Sequence, residues 1–264
     1  MSGGKPHLLL VLTATASLAL AVSQTFAQTS TPARASAPKS SAQSRIAMPG
    51  KILPQDGAYF AADDIRFMVD HVNGQVRLRF QDSDEVFYLS SEPASLGGRL
   101  LKYDTGDTAL IVAGWGGVTL YTDAAPNGVA AERTGDAGPL DPEPVSGSRV
   151  KPFAANLSQD LSDQFNLAVG IAADWETLNA DDRKRAAAMD AMRNATLALA
   201  RVARARGGRS RASRISVIRA VEAPSPGVTV ENGVLTVSFN LGAPASKPAR
   251  PSSLAVAHAI MNHH

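Results

Sequence analysis

The stretch IRFMVDHVNGQVRLRF, Ile65 to Phe80, decides the fold. Ile65, Phe67 and Val69 alternate with polar neighbours, and Val76, Leu78 and Phe80 repeat the alternation beyond Asn73-Gly74. Successive side chains of a strand point to opposite faces, so each run reads as a strand with one buried face. Asn-Gly supplies the left-handed backbone that a tight hairpin requires. Downstream, Val86 to Leu89, Arg99 to Tyr103, Thr108 to Ala113 and Val118 to Tyr121 continue the pattern between short turns. Residues 64–122 are therefore predicted as a six-stranded antiparallel β-meander. Repeated Pro and Gly make residues 123–152 read as a surface connection.

Beyond it the period changes. Leu161, Phe165, Ala168, Ala172 and Trp175 recur at helical spacing, with Ser158 as the expected cap. A second helix is predicted from Ala180 to Arg206, capped by Asn179, carrying Met189, Met192, Thr196 and Leu199 on one stripe and stopped by Gly207-Gly208. The two should pack as a helical hairpin. Strand pattern returns at Ile215 to Val221, Val228 to Val230 and Leu235 to Phe239, the last two flanking Asn232-Gly233 as a C-terminal β-hairpin. The class is α+β, with one domain over residues 51–241 and a Pro-rich tail, 242–264, that ends in a short helix capped by Ser252 or Ser253.

Upstream, Lys5 precedes an apolar run from Leu8 to Val22, and Thr25-Phe26-Ala27 offers a small-residue exit. This is the pattern of a cleavable export signal over residues 1–27. The run falls short of the roughly twenty residues a membrane span needs, and no later stretch approaches that length. The expected location is the periplasm or the exterior, with no transmembrane segment after cleavage. Residues 28–50, rich in Ser, Thr, Ala and Pro, cannot bury enough apolar surface to order themselves and read as a linker. The chain has no cysteine, which excludes disulfides, thiol nucleophiles, iron–sulfur ligation and an N-terminal lipid anchor.

The succession of export signal, tether, meander ending in Gly114-Trp115-Gly116-Gly117-Val118-Thr119-Leu120-Tyr121, helical pair, Asn-Gly hairpin and Arg250-Pro251-Ser252-Ser253-Leu254 resembles the exported proteobacterial family DUF4908, a domain of unknown function. The resemblance implies compartment and extent, and no activity.

Catalytic motifs are sparse. Asp104-Thr105-Gly106 has the form of an aspartic-protease loop, but that chemistry needs two carboxylates sharing a proton and the chain holds one copy, so a dimer would be required. Read as turn chemistry, Asp104 should tolerate replacement by Asn with little effect on the fold. Ser148 and Lys151 have the spacing of a Ser-x-x-Lys nucleophile without its companion motifs. His71 is the one histidine between Lys51 and Leu241, which argues against a histidine base. Neither the tail histidines His258, His263 and His264 nor the acids Asp82, Asp84 and Glu85 make a full metal shell. No cofactor is expected.

Charge is the remaining signal. Seven arginines, Arg201, Arg204, Arg206, Arg209, Arg211, Arg214 and Arg219, occur in succession without an acidic residue between them. The first six form the candidate surface for an anionic partner: phospholipid head groups, lipopolysaccharide or peptidoglycan, or an envelope protein, rather than nucleic acid. Against this stands a solvated helix end whose arginines answer the helix dipole. The expected function is a non-catalytic envelope-binding module, and the competing one an envelope hydrolase or peptidase using Asp104 in a dimer.

Overall fold

In a computed structural model of the chain, the described residues are 52–62, 64–141, 146–243 and 248–263. The expected signal, residues 1–27, and linker, residues 28–50, lie outside them.

The meander closes on itself. Strands β1 (Gly57–Ala61), β2 (Ile65–Val72), β3 (Gln75–Phe80), β4 (Val86–Pro93), β5 (Arg99–Lys102), β6 (Thr108–Val112), β7 (Val118–Leu120) and β8 (Val129–Gly135) form an antiparallel barrel in which β8 pairs back to β1. Two strands thus join the six expected, and β8 occupies part of the stretch read as a surface connection. Closure pairs both sheet edges that an open meander would leave exposed. The lumen is filled: Phe67, Val69, Leu78, Leu101, Leu110 and Leu120 are each almost fully buried there. Small barrels are filled by their own side chains in this way, so the ligand-sized space has to be sought at the ends. Outside, Arg77 of β3 is also buried, held by Asp70 across the β2–β3 ladder and by Asp141.

The rest of the chain builds an α/β layer. It comprises α1 (Val150–Phe165), β9 (Gly170–Ala172), α2 (Trp175–Ala180), α3 (Asp182–Arg204), α4 (Arg209–Ala212), β10 (Val217–Glu222), β11 (Gly227–Glu231), β12 (Val234–Phe239) and α5 (Ser253–Asn262). The sheet order is β11-β12-β10-β9, with β9, β10 and β12 parallel and β11 antiparallel to β12. Parallel neighbours need crossovers, and α2 to α4 provide the one between β9 and β10. The buried face of α3 is rich in small residues, Ala188, Ala191, Ala195 and Ala198 beside Met192 and Leu199, which lets neighbouring elements approach closely.

The helix expected across Leu161 to Trp175 is three elements. Asn166, at φ 53, ends α1 with its N–H on the Ser162 carbonyl while the next N–H reaches Leu161. This left-handed stop satisfies the last carbonyls and cannot be passed by a continuing helix. Ser158 lies inside α1, its hydroxyl donating to the Ala154 carbonyl, and caps nothing. The cap of α3 is Asp181, not Asn179: its carboxylate accepts from the Arg183 and Lys184 amides at 2.9 and 3.0 Å. The Lys184 amide bond in particular holds the Asp181 carboxyl below the usual range.

Candidate functional site

Alternation of strand direction gives the barrel two dissimilar ends. At one, the β1–β2, β3–β4, β5–β6 and β7–β8 turns surround an open cleft of about 850 Å³. Its floor is aromatic: Phe80, Phe87 and Tyr103 lie edge to face, with centroids 6.1 and 5.1 Å apart. Its rim mixes Arg66, Asp82 and the Arg201–Asp123 pair, whose N···O distance is 3.2 Å. Arg201 comes from α3 and Leu254 from α5, so the α/β layer supplies one wall. The volume suits a drug-sized ligand, and the aromatic floor beneath polar rims suits an amphipathic one.

Below the cleft the chain makes a double carboxylate clamp. Glu85, 2 % exposed, accepts from the Ser253 amide at 2.6 Å and from its hydroxyl at 2.5 Å. Asp104 accepts from the amide and hydroxyl of Ser252, at 2.7 and 2.5 Å. Ser252 also caps α5, its oxygen accepting from the Ala255 amide. Beside them, the buried Arg250 donates to Asp190 of α3 and sits 5.4 Å from the Tyr88 ring, while Asn194 donates to the Pro251 carbonyl. Residues 250–254 therefore strap α3 to the barrel.

Burial dominates the local electrostatics. Burial pushes the Glu85 carboxyl above its ordinary value, against the opposing pull of the Ser253 bonds and of Arg250. Burial likewise pushes the Tyr103 phenol up, helped by the charges of Asp123 and Glu85. Both oxygens of Glu85 are occupied by the two Ser253 bonds.

The protease-like Asp104-Thr105-Gly106 is a turn, with Gly106 at φ 91, as its turn chemistry predicts. Asp104 does more than shape it. Because its carboxylate holds Ser252 through both oxygens and an amide keeps one acceptor, Asp104→Asn is expected to cost more than a change confined to a turn. The hydroxyl of the exposed Ser148 lies 3.3 Å from that of Ser146, and Lys151 is exposed in the first turn of α1. His71 pairs through Nδ1 with Asp56. His258 bonds Asn262, and His264 lies outside the described residues. Asp82, Asp84 and Glu85 diverge, Asp82 to the cleft rim, Asp84 to a second cavity of about 630 Å³, and Glu85 inward. No group of three metal-ligating side chains occurs among the described residues.

The arginines separate into two kinds. Arg209 donates to the Phe165 carbonyl, the C-terminus of α1, and Arg211 to the Met261 carbonyl near the end of α5. Both thus answer the negative ends of helices. Arg204 lies 4.7 Å from the Phe165 ring, in the last turn of α3. Arg206 and Arg214 are exposed and make no ion pair among the described residues. Sequence reasoning found the arginines but missed the clamp, since nothing local marks Glu85 or Asp104 as receptors for a Ser-Ser pair far along the chain.

The described residues thus form a filled eight-stranded barrel strapped to an α/β layer, with a mixed-charge cleft at the barrel mouth. A family model described as a domain of unknown function, DUF4908, matches residues 40–260, and the chain belongs to that family. No curated protein and no solved structure matches the chain.

Proposed function

We propose that this chain is an exported, non-catalytic module that binds an anionic component of the cell envelope through the arginine-bearing corner formed by the ends of α1, α3 and α5. The observation that carries the reading is an imbalance of charge. A helix C-terminus is worth roughly −0.5 of an elementary charge, so three of them offer about −1.5 to the guanidinium groups around them. Arg204, Arg206, Arg209, Arg211 and Arg214 bring a full positive charge each, and none forms an ion pair among the described residues. Structural compensation thus accounts for part of the charge and leaves a positive excess at the surface. Phosphate or carboxylate groups repeated on a lipid or a wall polymer are its natural complement.

A hydrolase at Asp104 finds no comparable support. Both its oxygens are engaged by Ser252, and a catalytic dyad would have to release them.

The test separates the two kinds of arginine. Arg204→Gln, Arg206→Gln and Arg214→Gln together leave the carbonyl bonds of Arg209 and Arg211 intact, and should weaken co-sedimentation with phosphatidylglycerol vesicles or isolated peptidoglycan. The expected loss is on the order of 1 kcal/mol per arginine, with wild-type binding fading as salt rises. Binding that ignores both the substitutions and the salt would assign the arginines to helix ends and solvation alone.

A further inference from the structure

The opposite end of the barrel is built differently. Of the four large apolar side chains that stand exposed among the described residues, Val72, Leu96 and Trp115 all belong to this end, at or beside its hairpin turns, with Leu96 86 % and Trp115 80 % accessible. The β4–β5 turn, residues 94–98, and the β6–β7 turn, residues 113–117, are adjacent because β5 pairs with β6. They touch through their backbones: a Cβ on Gly114 would stand 2.2 Å from the Leu96 carbonyl oxygen, so only glycine lets the turns close together. Leu96 itself has φ 56, a conformation that a bulky residue adopts at a cost. A side chain held in strain and pointed at water, rather than folded onto the barrel, gives up burial that a turn of Asn or Gly would not need to forgo.

We infer that Leu96 and Trp115 are a membrane-contacting tip that inserts into the interface of a phospholipid bilayer. Three observations favour lipid over a protein partner or a second copy. The first is area. A stable interface takes roughly 800 Å² from each partner, and an aromatic side chain buries about 150–250 Å², so one tryptophan and one leucine on convex turns fall well short. A fluid interface needs no matching surface. The second is charge. The ten residues of the two turns, Ala94-Ser95-Leu96-Gly97-Gly98 and Ala113-Gly114-Trp115-Gly116-Gly117, include no charged side chain, and the first charge behind them is Arg99, without an ion pair among the described residues and placed to meet a lipid phosphate. The third is the residue type: indole has an apolar body and a polar N–H, and tryptophan is enriched where acyl chains meet head groups.

The tip shares no residue with the arginine-bearing corner of α1, α3 and α5, so the inference can fail or hold without that reading.

Trp115 fluorescence tests it directly in the full-length chain, taking as the Trp115 signal the emission lost in Trp115→Phe. With vesicles of phosphatidylethanolamine and phosphatidylglycerol, that emission should move to shorter wavelength and be quenched by lipids brominated on the acyl chain, and high salt should not reverse either change. Leu96→Ser with Trp115→Ser should lower vesicle affinity at least about tenfold, which is 1.4 kcal/mol, with the melting temperature unchanged because neither side chain is packed. A chain held to vesicles by some other segment would not bring acyl-chain quenchers to Trp115. Emission that stays that of a water-exposed indole on bound vesicles overturns the inference. So does a shift produced by soluble glycan fragments of peptidoglycan and not by lipid, which would make Trp115 a sugar-stacking residue.

Discussion

Ionising a carboxyl out of contact with water is unfavourable, and at Glu85 the two bonds from Ser253 do not fully offset it. A carboxyl whose folded pKa is raised contributes stability that is fully present below its unfolded value and is lost as pH rises through the folded one. Wild type should therefore exceed Glu85→Gln in stability most at the acid end, with the gap narrowing as pH rises above the ordinary carboxyl value. Urea unfolding of both proteins from about pH 4 to about pH 8 measures this, and other carboxyls cancel in the difference. A gap that instead widens with pH would mean that the Ser253 bonds outweigh burial. Asp104 illustrates a different lesson at the same scale. It is exposed, its turn is ordinary, and its importance comes from a partner elsewhere in the chain.

Among the elements, the β11–β12 turn offers the cleanest test. Asn232 and Gly233 have φ 50 and 79, and a Cβ at Gly233 would lie 3.1 Å from the Arg214 carbonyl oxygen. Gly233→Val should cost 1 kcal/mol or more, on the order expected of a branched residue forced into the left-handed region, measured as a drop in the urea midpoint. Elements with strong periodicity were legible in the sequence: β2 to β7, α3 and the strands around Asn232-Gly233 all carry it. Those that escaped have physical reasons for doing so. In β8, Ala130, Glu132, Arg133 and Thr134 are exposed, and the strand exists because β1 and β7 offer it partners on both sides. Apolar spacing from Leu161 to Trp175 suggested one helix because strand β9 and helix α2 continue the rhythm by chance across the Asn166 stop. The arginine part of the candidate site was visible as composition. The cleft was not, since its residues come from both the barrel and the α/β layer and meet only on folding.

For the whole molecule, the strap from Arg250 to Leu254 is the most heavily hydrogen-bonded tie between barrel and α/β layer among the described residues. Arg250 is 5 % exposed and its Nε and Nη2 lie 3.0 and 2.9 Å from Asp190, with weaker contacts to the Val86 carbonyl. Breaking such a pair leaves Asp190 with Arg193 alone and opens space beside Tyr88. Arg250→Ala should cost about 3 kcal/mol by thermal or urea unfolding, and Arg250→Lys should recover only part, because a point charge cannot serve the carboxylate, the carbonyl and the ring together. A loss near zero would mean that barrel and layer cohere without the strap. The separations involved also set an order in time. Hairpins form between neighbours, barrel closure joins residues 77 apart at Arg133 and Asp56, and the clamp joins residues 168 apart at Glu85 and Ser253. Each longer loop carries a larger closure entropy before its contacts repay it, so the clamp is expected to close after the hairpins. Until Ser253 docks, Glu85 is expected to stand at the barrel mouth as an open carboxylate in contact with water.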